Sequence, residues 1–274
     1  MKTLEHQTLL YDEDCPLCQA YTSGFIKTGM LDENGRKSFA EISTLDETIL
    51  DVDRASNEIA LIDNRNNTVT YGIDSLLKVI GHRFPIIKTI GNIPPIHFAL
   101  RKLYSFISYN RKVIMPNPAA AKAPQCVPSF NLSYRVVYIV LTVIAATFTV
   151  HSYMQLFTWT PKLPLTVIGV LTLGLIGFQG LFIAKRSSIE VVNYIGHLMT
   201  VSTMGVLLLI LVLLLNTLLH IPEFLNLHWF VLTIVFMFAE HVRRVSILKL
   251  PKYLSLMWIL YRCLVLITLL ILFL

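Results

Sequence analysis

Long apolar segments fill the second half of this 274-residue chain, and they restrict its fold more than any other feature. A helix of about 20 apolar residues crosses the roughly 30 Å hydrocarbon core of a bilayer. The sequence predicts five such spans, at residues 136–158, 163–184, 191–222, 224–239 and 253–274. The fourth is the weakest, because only 16 residues separate Glu223 from Glu240, and a re-entrant hairpin is the alternative there. The region is therefore predicted to be an all-α transmembrane helix bundle.

Charge is distributed unevenly between the two halves of the chain. Residues 1–135 contain 15 Lys or Arg and 14 Asp or Glu, whereas residues 136–274 contain 8 and 3. This composition excludes a disordered chain and a single soluble domain, and four cysteines are too few for a disulfide-stapled secreted module. The net charge of +6 does not indicate nucleic-acid binding, because the excess basic residues flank the apolar segments.

Basic residues also predict the orientation of the spans. They fall on every second loop, which the positive-inside rule assigns to the cytoplasm. Those loops carry Lys122, Arg135, Lys185, Arg186, Arg243, Arg244, Lys249 and Lys252, whereas the alternate loops carry only Lys162. We therefore expect the N-terminal domain in the cytoplasm and the C-terminus outside. The first 15 residues contain no continuous apolar run behind a basic start, so no cleavable signal peptide is expected.

Residues 1–115 show the pattern of one soluble α/β domain. Strands are expected at residues 8–11, 37–42, 58–63 and 68–71, and helices at residues 15–27, 74–80 and 94–112. Gly29 and Gly81 are expected to end the first two helices. This order of elements is compatible with a thioredoxin-like layer. Residues 116–135, rich in proline and alanine, are predicted to link it to the transmembrane domain at residues 136–274.

A Cys-x-x-Cys pair, Cys15-Pro16-Leu17-Cys18, stands where the first strand is expected to pass into the first helix. Two thiols at this spacing can close a small disulfide ring, and a thiol at a helix N-terminus is favoured as the thiolate. We expect Cys15, as the more exposed thiol, to attack a substrate and Cys18 to resolve the mixed disulfide. Half of a tetrahedral zinc site and incidental structural cysteines are the alternatives.

The residues around this pair resemble a known family. Tyr11-Asp12 followed by Asp14-Cys15-Pro16-Leu17-Cys18 is similar to the D-x-x-C-x-x-C motif of the DCC family of predicted thiol-disulfide oxidoreductases, a DUF393-type domain. Residues 72–75 and the stretch from Leu103-Tyr104 to Asn110-Arg111 are similar to later segments of that family. The resemblance implies a thioredoxin-like fold, with Cys15 and Cys18 as the redox pair and Asp12 as the acid of the motif.

Acidic residues beside the pair affect its expected chemistry. Asp12, Glu13 and Asp14 oppose thiolate formation by like charge, so we expect the Cys15 pKa to lie closer to its ordinary value of about 8.5 than to the lowest values, which are found in strong oxidants. One of these carboxylates is a candidate to relay the proton of Cys18. Glu13 also departs from the resemblance, since the family commonly has glycine at that position.

Together these features favour a membrane-tethered thiol-disulfide oxidoreductase with a cytoplasmic CPLC dithiol, acting as a reductase or exchange catalyst more than as an oxidant. The alternative is a non-enzymatic integral membrane protein that binds a lipid, quinone or protein partner, with the dithiol as a redox sensor or weak metal site. Expected partners are the lipid bilayer and an unknown protein or small-molecule thiol or disulfide. No nucleic acid, cofactor or resident metal is expected.

Three further features have open interpretations. His197 and His241 either bind haem or a quinone, or are interfacial histidines at helix ends. Arg262, about 15 Å along its helix from Lys252, is expected to pair with Glu240, with Glu190 as the alternative acid. The helix at residues 94–112 has apolar residues at helical spacing and a basic side formed by Arg101, Lys102, Arg111 and Lys112. It lies either on the domain with a solvated face or against lipid headgroups.

Overall fold

The computed structural model describes residues 3–117 and 130–273, which fall into two compact units, Met1–Tyr134 and Arg135–Leu274. Most of the predicted linker at residues 116–135, with Cys126, lies outside the described residues. Each unit has its own hydrophobic core.

The first unit is built around a small mixed sheet. Its strands are β1 (Gln7–Tyr11), β2 (Arg36–Ser38), β3 (Ala60–Asp63) and β4 (Thr68–Tyr71), in the order β2-β1-β3-β4. Strand β1 pairs parallel with β2 and antiparallel with β3, and β3 and β4 form an antiparallel hairpin. The helices are α1 (Pro16–Lys27), α2 (Thr44–Ile49), α3 (Val52–Asn57), α4 (Gly72–Arg83), α5 (Pro85–Gly91) and α6 (Pro94–Ile114). The predicted α/β thioredoxin-like fold class is confirmed.

Alternation along the strands divides the core of this unit into two layers. Leu10 on one face of β1 belongs to a cluster with Phe39, Leu50, Ala55, Ala60 and Ile62. Leu9 on the other face belongs to a cluster with Leu31, Ile59, Leu61 and Val79. Successive strand residues point to opposite faces, so both faces of the sheet are covered. Full burial of a leucine, isoleucine, valine or phenylalanine side chain contributes about 1.5–3 kcal/mol.

Several predicted boundaries agree with the structure, whereas those of β2, β3 and α4 differ from it. Helix α1 starts at Pro16 and is followed by Gly29 at φ +67°, a left-handed conformation that suits glycine. Strand β2 is shorter than predicted, because the Ser38 hydroxyl accepts from the Ala40 N–H and begins a 3₁₀ turn, Phe39–Glu41. Helix α4 continues past Gly81, where the absence of a side chain lets Lys88 of α5 pack closely.

The second unit consists of long apolar helices. They are α7 (Leu132–Met154, which begins three residues before the unit), α8 (Leu165–Ile183), α9 (Ser188–Leu218), α10 (Glu223–Ile247) and α11 (Tyr253–Phe273). All five are long and apolar enough to cross a membrane, so the chain is a multi-pass membrane protein. Helix α10, whose 25 residues span about 37 Å, is continuous where a re-entrant hairpin was the alternative.

Candidate functional site

The Cys-x-x-Cys segment forms the tight connection between β1 and α1. Cys15 is the N-cap of α1, and Pro16, which lacks an N–H, occupies the first helical position where none is needed. Asp12 shapes the turn before it: its carbonyl accepts from the Cys15 N–H at 3.1 Å and its Oδ1 accepts from the Asp14 N–H at 3.1 Å. The Gln19 N–H then donates to the Cys15 carbonyl, which starts the helix.

Both thiols are free, close together and inside the unit. The side chain of Cys15 is 0% exposed and that of Cys18 is 6% exposed. The prediction that Cys15 is the more exposed thiol is therefore wrong. The turn held by Asp12 places Cys15 beneath the surface, although it stands at the helix start.

Hydrogen bonds within the pair separate the acidities of the two thiols. The Cys18 thiol and the Cys18 backbone N–H both donate to the Cys15 sulfur, and they lower the pKa of Cys15 to about 6 against the opposing effect of burial. The bond to Cys15, together with burial, raises the pKa of Cys18 well above its ordinary value. Cys15 is therefore the thiolate and Cys18 the thiol at neutral pH.

The Cys15 pKa of about 6 lies well below its ordinary value of about 8.5, although acidic residues surround the pair, and the reason lies in the partners of those residues. Asp12 does raise the pKa of Cys15, but Arg111 lowers it. The Asp12 carboxylate forms ion pairs with Arg111 at 3.4 Å and with Lys112 at 3.0 Å. The Glu13 carboxylate accepts from the Ser38 hydroxyl at 2.9 Å. Arg111, Lys112 and the Ser38 hydroxyl thus offset the negative charge of Asp12 and Glu13, and these partners are not neighbours of the two acids in the sequence.

Helix α6 brings Arg111 to the pair from 99 residues away in the chain. The Arg111 side chain is buried, as is that of Asp12. Its guanidinium also donates to the Ser56 carbonyl at 3.3 Å and to the Ser108 hydroxyl at 3.2 Å. The sequence pattern placed Arg111 on the basic side of an amphipathic helix, and this placement is wrong. Its position in the segment that resembles the family was the available signal.

The segment before β3 is held by the same helix. Where thioredoxin-like folds commonly have proline, this chain has Ser56, Asn57 and Glu58. The Ser56 carbonyl accepts from Arg111, and the Asn57 carbonyl accepts from the Ser108 hydroxyl at 2.6 Å. These backbone acceptors are therefore occupied by side chains of α6.

A small cavity of about 20 Å³ lies beside the pair. Its walls include Asp12, Cys18, Tyr21, Tyr104 and Arg111. This volume is enough for one water molecule. Burial raises the pKa of both tyrosines, so both phenols stay protonated at neutral pH. The Asp12 carboxylate and the protonated Cys18 thiol therefore both line this cavity.

The residues described by the structure contain no group of three or more His, Cys, Asp or Glu side chains that could hold a metal ion. Cys15 and Cys18 therefore lie together as a pair, without a third such side chain in ligand position among residues 3–117 and 130–273. The arrangement is suited to thiol exchange.

The second unit contains a buried polar cluster between α8, α9 and α10. The Tyr194 hydroxyl donates to Gln179 Oε1 at 2.8 Å, so the His241 Nε2–H donates to the Tyr194 oxygen at 3.2 Å. Arg244 Nη1 donates to His197 Nδ1 at 3.2 Å. His197 and His241 thus each have a separate protein partner.

The predicted pair between Glu240 and Arg262 is wrong. Glu240 accepts from Arg243 at 2.7 Å and from Arg244 at 2.8 Å, both on its own helix. The Arg262 guanidinium lies 4.9 Å from the centre of the Trp258 ring. The alternative acid, Glu190, lies 3.9 Å from Arg186. The spacing of three and four residues within α10 was the signal that identifies the true partners of Glu240.

Comparison with known proteins agrees with this geometry. Residues 9–116 match the model of a family described as DCC1-like thiol-disulfide oxidoreductase. Searches of curated proteins and of solved structures found no match. The matched range contains the whole sheet except the first two residues of β1, the Cys15–Cys18 pair, and α6 with Arg111.

Proposed function

Since the chain carries a DCC1-like thiol-disulfide oxidoreductase domain at residues 9–116, followed by five candidate spans, we propose that it is a membrane-tethered oxidoreductase that exchanges disulfides through Cys15 and Cys18. One observation carries this proposal. The Cys18 thiol and N–H donate to the Cys15 sulfur, so one member of the pair is a ready nucleophile and the other holds a proton.

The proposed reaction begins when the Cys15 thiolate attacks one sulfur of a substrate disulfide. A mixed disulfide forms, and the other substrate sulfur leaves as a thiolate. Cys18 then loses its proton and attacks the Cys15 sulfur, which releases the second substrate thiolate and closes the Cys15–Cys18 disulfide. The substrate gains two electrons and the enzyme dithiol loses two. A dithiol or glutathione reductant returns the pair to its starting state.

Two residues support the second step in this proposal. Asp12 and Cys18 share the walls of the small cavity, so Asp12 takes the Cys18 proton across one water molecule. Arg111 is a positioning residue that holds the Asp12 carboxylate at 3.4 Å and stabilises negative charge on the thiols. Because Cys15 is fully buried, its attack also requires local opening of the turn at residues 12–18.

We further propose that the pair works as a reductase or exchange catalyst. A Cys15 pKa of about 6 is closer to the value near 7 of reducing dithiols than to the value near 3.5 of strong oxidants. A cytoplasmic location of the N-terminal unit agrees with this direction, because glutathione and thioredoxin keep thiols reduced there.

The orientation is testable by cysteine labelling in a variant that lacks the native cysteines. Lys162→Cys and His220→Cys, in loops that we place outside, should react with an impermeant maleimide on intact cells. Lys185→Cys and Lys249→Cys should react only after the membrane is opened. All four positions are exposed, so burial does not bias the result. Labelling of the second pair on intact cells would reverse the proposed orientation.

The reaction is testable by trapping. Cys18→Ser should accumulate a mixed disulfide between Cys15 and its substrate, because the resolving thiol is absent. Cys15→Ser in the same cells should trap at least tenfold less, which is the matched control. Mass spectrometry of species released by reductant identifies the substrate. Equal trapping by the two variants, or copurification of one zinc per pair, would contradict the proposal.

A further inference from the structure

Helices α5 and α6 expose a large apolar surface on the first unit. We define the α5–α6 apolar surface by Ile86, Ile90, Ile93, Ile96, Leu103 and Ile107, all of them exposed. Ile86 is 74% exposed and Leu103 is 53% exposed. Monomeric soluble proteins rarely expose contiguous apolar patches of more than a few hundred Å². An occupant is therefore expected on this surface.

The spacing of these residues produces a stripe. On α6, Ile96, Leu103 and Ile107 recur at intervals of seven and four residues, which places them on one side of the helix. Other residues of α6 attach the helix to the rest of the unit. Tyr104 packs against the core cluster that contains Leu9, and Arg111 binds Asp12. These contacts, and not the stripe, hold α6 on the unit.

Charge on the same segment indicates the chemistry of the occupant. Helices α5 and α6 contain five Lys or Arg and no Asp or Glu, and two of these cations, Arg111 and Lys112, pair with the buried Asp12. Lys88, Arg101 and Lys102 of this segment are exposed on the two helices. Exposed isoleucine and leucine on two helices whose Lys, Arg, Asp and Glu side chains are all cations suit an anionic lipid surface.

The chain itself supplies such a surface. Helix α6 ends at Ile114, and the first candidate span starts at Leu132, so 17 residues separate α6 from a helix that is long and apolar enough to cross a bilayer. A tether of this length gives the bilayer a high effective concentration near the unit. The cytoplasmic leaflet carries the anionic lipids, in agreement with the proposed orientation.

We propose that α5 and α6 dock on the headgroup region of an anionic phospholipid bilayer. The isoleucines and Leu103 enter the boundary between headgroups and acyl chains, and Lys88, Arg101 and Lys102 contact lipid phosphates. Docking keeps the dithiol domain at the membrane surface. The inference does not depend on the redox activity of Cys15 and Cys18.

Photo-crosslinking of the full chain in nanodiscs tests this inference. Benzoylphenylalanine is placed at Ile86 or Leu103, and at Glu33 as an exposed control on the same unit. In discs that contain phosphatidylglycerol, the first two positions should form lipid adducts and Glu33 should form at least tenfold fewer. Adducts should decrease in discs of phosphatidylcholine alone and at high salt.

Charge variants make the test specific. Arg101→Gln and Lys102→Gln should each lower the ratio of docked to undocked unit about fivefold, since each cation near an anionic surface contributes about that factor. Protection of Cys18 from alkylation should stay unchanged, which verifies folding. Adducts to a second copy, to another protein or to α7–α11 in place of lipid would overturn the inference, as would equal yields at Ile86, Leu103 and Glu33.

Discussion

Asp12→Ala should lower the free energy of unfolding of the N-terminal unit by about 3 kcal/mol, because it leaves the buried Arg111 guanidinium without its carboxylate. It also removes the acceptor of the Asp14 N–H that shapes the turn. The expected readout is the urea concentration at which the buried Cys18 thiol of the full chain becomes open to a pulse of alkylating reagent. Asp14→Ala is the matched control, since Asp14 joins the turn through its backbone.

A double-mutant cycle separates this pair from general damage to the fold. Arg111→Met should be destabilising alone, and Asp12→Ala with Arg111→Met should cost less than the sum of the single changes. The two single variants should also move the pKa of Cys15 in opposite directions: removal of Asp12 lowers it and removal of Arg111 raises it. Additive effects on stability, or the same direction for both pKa changes, would contradict the proposed role of the pair.

Glu240→Ala should cause the largest loss of folded protein in the second unit. Glu240 accepts from both Arg243 and Arg244, and the Arg244 side chain is almost fully buried, so the change removes the carboxylate that neutralises a buried cation. Breaking such a pair costs about 3–5 kcal/mol. The expected result is a strong decrease in the monodisperse fraction after detergent extraction and in the temperature of unfolding.

Two further variants check this assignment. Glu240→Ala combined with Arg244→Met should recover part of the folded fraction, because the unpaired cation is removed as well. Arg262→Leu should cost far less than Glu240→Ala, since Arg262 contacts the Trp258 ring and no ion pair is lost. Equal losses of folded protein for Arg262→Leu and Glu240→Ala would contradict this assignment and would favour an ion pair between Glu240 and Arg262.

Local signals in the sequence were sufficient for much of this fold. The start of α1 at Pro16, the β3–β4 hairpin and the five apolar helices follow from turn chemistry, alternation and long uncharged runs, and the structure confirms them. The family match at residues 9–116 confirms the recognition that rested on the motif around Cys15 and Cys18. These features depend on residues that are neighbours in the chain.

Features that depend on distant contacts could not be predicted in the same way. The burial of Cys15 and its low pKa result from the Asp12 turn, from hydrogen bonds within the pair and from Arg111, which arrives from another helix. Likewise α10 extends beyond its apolar run, because Glu240, Arg243 and Arg244 satisfy one another within the helix. A count of nearby charges overestimated the Cys15 pKa because it omitted such partners.

The alkylation rates of Cys15 and Cys18, measured separately against pH on the reduced full-length protein, test the central claim most directly. Only a thiolate reacts, so the rate at Cys15 should rise with pH to a midpoint near 6 and then level off, whereas Cys18 should stay unmodified over the same range. Mass spectrometry of the labelled peptides assigns each rate. A Cys15 midpoint near the ordinary value of about 8.5, or modification of Cys18 first, would contradict the account.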